Sequence, residues 1–173
     1  KALLAEMNRV GVIPDPSHSS DAVLEQVIAL SKTPVVLSHS GAAAIYKHPR
    51  NVPDDLIKKL AAKGGVIQVN AYNAYMIDVP ANADRDKALA AIQAKYRGRR
   101  LTEADVVAQT AERRAVLAQY PIPRANFDDL MKHMMHVIKL VGVDHVGFSG
   151  DFAGGGGIDG FNSVADYPAV TEY

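Results

Sequence analysis

What most limits the folding of this chain is a recurrence. Four short apolar runs stand apart from one another: Val12-Ile13-Pro14-Asp15, Pro34-Val35-Val36-Leu37, Val66-Ile67-Gln68-Val69 and His145-Val146-Gly147-Phe148. Helix-patterned sequence fills the intervals. Short apolar runs bounded by glycine or proline suit buried strands, and their alternation with helices argues for a parallel sheet with covering helices, an α/β fold. The helices are legible from spacing. Leu3, Leu4, Met7 and Val10 share one face ahead of Gly11. Ser20 or Asp21 can cap a helix whose Val23, Val27, Ile28 and Leu30 are expected to face a core. Asp54 and Asp55 fall in the first turn of a helix stopped by Gly64-Gly65, where negative charge suits the helix dipole. Asn126 is placed to cap a helix with Phe127, Leu130, Met131, Met134, Ile138 and Val141 on one side, closed by Gly142.

Residues 77–124 break the rhythm. They are charged, alanine-rich and helical in pattern, with Thr102 and Asp105 spaced as a capping box and Pro121 and Pro123 at the end. We read them as a helical insertion within one domain spanning residues 1–173.

Composition removes several functions. Nineteen basic residues balance nineteen acidic ones, so there is no electrostatic case for nucleic acid as a partner. No apolar run approaches the ~18–20 residues of a transmembrane segment. The chain has no cysteine, which excludes thiolate catalysis, thiolate metal ligation and disulfides. Any metal must use His, Asp or Glu, which favours zinc or a similar borderline ion.

The chemistry is expected where the strands end. His18 follows the first run, His39 the second, Asn70 the third and Asp151 the fourth. In a (β/α) barrel those ends converge on one face, and active sites are built there. Ser17-His18-Ser19 and Ser38-His39-Ser40 match each other. Each imidazole can give one nitrogen to a metal and the other to an outer partner. One such histidine alone is better explained by a hydrogen bond at a loop start; the pair at successive strand ends favours a metal. Asp151 can bind a metal or exchange a proton with bound water. Arg50 can clamp a carboxylate, or can be a solvated loop residue. Tyr72 and Tyr75 can line a cleft or simply pack. His133 and His136, three apart on a helix, could share a face, but their methionine neighbours favour a structural role. His48 and His145 also read as structural. Gly154 to Gly157 is not followed by Gly-Lys-Ser/Thr, so it reads as a mobile loop rather than a phosphate cradle.

These residues carry a resemblance. Asn8-Arg9-Val10-Gly11-Val12-Ile13 with Ser17-His18-Ser19, then Pro34-Val35-Val36-Leu37-Ser38-His39-Ser40, resemble two zinc-binding segments of the membrane dipeptidase (renal dipeptidase) family. His48-Pro49-Arg50-Asn51-Val52-Pro53-Asp54-Asp55 follows at the family's distance. Asn70-Ala71-Tyr72-Asn73-Ala74-Tyr75, Val141 to Gly147 with Gly150-Asp151-Phe152, and Asp166-Tyr167-Pro168 are similar to its later segments. The resemblance implies about half of a TIM-like (β/α)8 barrel of the metal-dependent hydrolase type. It implies a two-zinc enzyme that hydrolyses dipeptides. His18 and His39 would hold one zinc, and Asp151 would sit at the other and handle the proton passing to the leaving amine. Arg50 would bind the substrate carboxylate with Tyr75 nearby, and Asn70 would line the substrate site. The family's His-x-Asp motif, bridging Glu and a substrate-contacting His are absent and would lie upstream of Lys1, in the missing half of the barrel. The segment alone is therefore expected to be inactive. The resemblance is also compatible with a homodimer. Ala153 replaces an aspartate of the family pattern. Two other readings stay open: a barrel hydrolase of a lactone, cyclic amide or ester, and a non-catalytic homologue serving as a binding domain. Lys63 precedes the third strand rather than following it, which disfavours a lysine-bridged metal site.

Overall fold

A computed structural model describes residues 1–172. They divide into two compact units. The first comprises Lys1–Asp78 and the chain from Arg124 onward; the second is Val79–Pro123. The first unit carries α1 (Ala2–Val10), α2 (Asp21–Leu30), β1 (Val36–Ala42), β2 (Asn51–Val52), α3 (Asp54–Ala62), β3 (Val66–Asn70) and α4 (Asn73–Met76). It continues with α7 (Phe127–Val141), β4 (Val146–Ser149) and α8 (Tyr167–Glu172), and the second unit holds α5 (Ala83–Tyr96) and α6 (Glu103–Gln119). No described helix is long and apolar enough to cross a membrane.

The four strands form one parallel sheet in the order β2-β1-β3-β4. This is an α/β arrangement with part of the eight strands of a complete barrel. Leu37, Ile67 and Val69 from the central strands meet Ile57 and Leu60 of α3 and Leu130 and Val137 of α7, all with at most 1% exposure. Burial of each such side chain is worth ~1.5–3 kcal/mol relative to leaving it in water.

Local signals set the helix ends. Gly11 closes α1 in the left-handed conformation. Thr102 with Asp105, and Asn126 with Asp129, form reciprocal capping boxes at α6 and α7. Within the second unit, Glu112 of α6 accepts hydrogen bonds from Lys95 and Tyr96 of α5.

Two expectations need correction. Val12–Asp15 is not a strand; Val12 and Ile13 are 50% and 61% exposed. Pro14 and Pro16 have no N–H, so alternate ladder donors are missing. The segment still lies along β1: Val36 N–H donates to Pro14 O, and Ser38 N–H donates to the Asp15 side chain. The sheet is instead completed by the two-residue β2. Similarly, α2 buries Leu24 and Ile28, whereas Val23 and Leu30 are each 45% exposed. These two line an open groove with Leu3, Leu4 and Met7 of α1.

Candidate metal centre

His39 owes its position to an irregularity in β1. Leu37 pairs with Ile67 and Ser40 with Val69, so three steps on β1 match two on β3. The extra residue is a β-bulge spanning Ser38 and His39, the kind of feature that re-aims a side chain at a sheet end. His18 comes from the turn after Pro16. The two Nε2 atoms lie 2.7 Å apart, with ring centroids at 4.8 Å and planes inclined by 56°.

Asp15 ties the two histidine loops together. Its Oδ1 accepts Ser17 N–H (3.1 Å), Ser17 Oγ–H (2.5 Å) and Ser38 N–H (3.2 Å), and its Oδ2 accepts Ser38 Oγ–H (2.5 Å). Ser38 Oγ is in turn 2.7 Å from His39 Nδ1. Partial burial pushes the Asp15 carboxyl upward, but the hydrogen bonds from Ser17 and Ser38 outweigh it and hold the pKa below the usual value.

Arg50 is fixed beside this pair. Its Nε donates to Ser17 O (3.2 Å), Nη2 to His39 O (3.1 Å) and Nη1 to Tyr75 Oη (3.3 Å). Its guanidinium carbon stands 5.1 Å from the Tyr75 ring centroid. Tyr75 stacks on Tyr72 at 4.3 Å and packs against His48 at 4.6 Å. Asn51 Nδ2 holds the backbone here by donating to Tyr75 O and Tyr46 O. His48 Nδ1 accepts Arg50 N–H. Burial, followed by the Arg50 charge, lowers the His48 pKa.

Asp151 adopts φ 45°, ψ 32°, the one non-glycine residue with positive φ among the described residues. Such strain clusters at functional sites. The following glycines have a packing reason: a Cβ at Gly154 would collide with the Asp151 carboxylate, and one at Gly156 with Gly150 O. Ala153 lies exposed in a single 3-10 turn. Asn70 donates to Asp151 Oδ2 at 3.3 Å. It has no exposed surface. It lies beneath Asp151 and orients it.

The structure thus gathers His18 with His39, Arg50 with Tyr75, and Asn70 with Asp151. Among the described residues, no three His, Asp or Glu side chains form a group able to hold a metal. Asp151 therefore does not join His18 and His39 in one ligand set. The imidazole pair still fits two positions of a zinc site. It offers nitrogen donors and no thiolate, and His39 has an outer partner on Nδ1. His133 and His136 do not share a site. His133 is buried and accepts Ala42 N–H, whereas His136 pairs with Asp54 at 2.8 Å. His145 contacts Gly65 O. Asp15 and Ser38 were missed by sequence reasoning. The available signal was Asp15 two residues before Ser17, the spacing of an Asx-turn.

Comparison with known proteins finds relatives along nearly the whole chain. Relatives include "Uncharacterized dipeptidase C965.12" of Schizosaccharomyces pombe, 32% identical over 164 residues, covering 94% of this chain and 30% of the relative. "Dipeptidase aclJ" of Aspergillus oryzae is 31% identical over 173 residues, covering 99% and 31%. The chain thus spans less than a third of the length of these relatives. The crystal structure of the probable dipeptidase PvdM from Pseudomonas aeruginosa superposes with TM-score 0.73 at 31% identity, covering 97% of this chain and 45% of that one. A metallo peptidase from Rhodobacter sphaeroides, liganded with a phosphinate mimic of the dipeptide L-Ala-D-Ala, shares the fold with TM-score 0.69 at 23% identity, covering 99% and 38%. The sequence profile of the membrane dipeptidases (Peptidase family M19) matches residues 1–173, and the chain belongs to that family.

Proposed function

We propose that this chain supplies one side of the active site of a zinc-dependent dipeptidase whose polypeptide is longer than the segment described. The observation that carries the reading is the convergence of His18 and His39 Nε2 at 2.7 Å, with Arg50 anchored to the backbone of both histidine loops. His18 and His39 would hold one metal ion, and ligands for a second ion would come from the rest of the polypeptide. A bound zinc supplies a water of lowered pKa and polarises the peptide carbonyl.

The other roles belong to side chains of this chain. Three of the five Arg50 N–H donors are engaged internally, leaving two to face a substrate carboxylate. Tyr75 Oη accepts from Arg50 and keeps its own proton to donate to the same group. A fixed cation of this kind anchors the free end of a short peptide and disfavours a longer chain at that end. Asp151, with one oxygen held by Asn70, would take a proton from the attacking water and pass it to the leaving amine.

The test is metal analysis of the full-length protein, with hydrolysis measured on dipeptides, dipeptide amides and simple esters. Bound zinc and preferential cleavage of free dipeptides are expected. A metal-free protein without peptidase activity would refute the reading, and ester hydrolysis alone would move the site to another hydrolase class.

A further inference from the structure

The two segments holding the imidazoles contain more organisation than a pair of ligands requires. One carboxylate, Asp15, accepts four hydrogen bonds, two from the segment of His18 and two from the segment of His39. Asp15 touches neither ring. From these contacts we infer that Asp15 is a positioning residue: through Ser38 it holds His39 in the Nδ1–H tautomer, so that Nε2 presents a lone pair to the metal. The inference rests on the metallodipeptidase reading above.

Proton counting leads there. An ionised carboxylate only accepts hydrogen bonds. Ser38 Oγ stands 2.5 Å from Asp15 Oδ2, so the hydrogen between them is the Ser38 hydroxyl proton. A serine has one such proton. Ser38 Oγ can therefore only accept from His39 Nδ1 at 2.7 Å, which places the ring proton on Nδ1. In neutral His39, Nε2 is then the acceptor. Across the 2.7 Å Nε2···Nε2 contact, His18 must donate when no metal is present. The two ligands are thus unequal. His39 is preset for ligation by its neighbours, whereas exposed His18 must move or lose its Nε2 proton as metal enters.

The β-bulge fits this role. It places Ser38 N–H and Ser38 Oγ on the same carboxylate, which locks the extra residue of β1 and with it the direction of His39. Outer partners of this sort typically change metal affinity by about 10–100-fold when mutated.

Asp15→Asn makes a sharp test because it reverses one hydrogen bond. Three donors converge on Oδ1, so the amide oxygen must occupy that position and the NH2 must face Ser38 Oγ. Ser38 then accepts from the amide and can turn its own proton toward His39 Nδ1. His39 is expected to switch to the Nε2–H tautomer. The measurement is long-range 1H–15N correlation of histidine-labelled, metal-free full-length protein, with Zn2+ affinity determined by competition against a chromophoric chelator. Wild type should show His39 as Nδ1–H. Asp15→Asn should show Nε2–H and bind Zn2+ about 10–100-fold more weakly with unchanged circular dichroism. Ser38→Ala should also weaken Zn2+, and Ser38→Thr, which keeps the hydroxyl, should retain both the tautomer and the affinity. The inference is overturned if wild-type His39 is the Nε2–H form. It is also overturned if Asp15→Asn changes neither tautomer nor affinity in a protein that does bind Zn2+. A wild type that takes up no Zn2+ while His39 still switches tautomer would instead defeat the metallodipeptidase reading.

Discussion

Acid should weaken this fold through one buried imidazole. His133 of α7 has no exposed surface, and its Nδ1 accepts the buried N–H of Ala42 in β1 at 3.0 Å. The proton of the neutral ring is therefore on Nε2. That buried atom has no hydrogen-bond partner, although the Met76 backbone favours the proton. Burial dominates and lowers the pKa from 6.5 to about 4. The unfolded chain takes up this proton near pH 6.5, the folded chain only near pH 4. Between those values the unfolded state binds more protons, so stability falls as the pH drops through the window. A pKa unit is worth ~1.4 kcal/mol, which gives a loss of about 3 kcal/mol once the pH is below 4. His133→Gln keeps an amide oxygen for Ala42 N–H but has nothing to titrate. Its stability near pH 7 should be lower by about 1–2 kcal/mol through poorer packing. The difference between wild type and variant should then shrink and reverse as the pH approaches 4. Urea unfolding at a series of pH values measures this, and subtraction removes the carboxylates and histidines common to both proteins. Parallel pH profiles for the two proteins would refute the argument, because they would mean that His133 gains its proton as easily folded as unfolded.

Asp151→Asn is nearly isosteric, keeps the Asn70 contact within reach and cannot accept a proton. Turnover by the full-length enzyme should fall ~10²–10⁴-fold with the fold intact, and a drop below about tenfold would remove Asp151 from the mechanism. Arg50→Ala should weaken binding of dipeptides far more than of dipeptide amides in steady-state kinetics; equal losses would make Arg50 a structural tie between the two histidine loops. Gly154→Ala should displace the Asp151 carboxylate and lower kcat, while a substitution at exposed Ala153 should leave kcat within a fewfold of wild type.

Much of the architecture was legible in the residue order, because it depends on neighbours close along the chain. Gly11 ends α1, the Thr102–Asp105 and Asn126–Asp129 boxes start α6 and α7, and apolar runs mark β1, β3 and β4. The matched Ser-His-Ser segments located the imidazole pair for the same reason. The reading went wrong where partners are remote. Val12–Asp15 has the apolarity of a strand, but Pro14 and the following Pro16 deny it a ladder and its aspartate pairs with β1 instead. Val23 and Leu30 have the hydrophobicity of core residues, but which face of α2 is covered depends on what packs there, and those two open onto a groove.

Sequence alone determined the alternation of helix and strand, the helix caps, the family and the residue types available to a metal. Tertiary structure alone decided which of those residues meet. The bulge between Leu37 and Ser40 exists only against the register of β3, and it turns His39 toward His18. Asn70 stands at a strand end, and only the fold shows that it is buried and donates to Asp151, 81 residues later. His133 lies 91 residues from the N–H it accepts, so no local pattern distinguishes it from partly exposed His136 three residues on. Burial and hydrogen-bond partnership are properties of position in three dimensions, and they assign different chemistry to side chains of identical type.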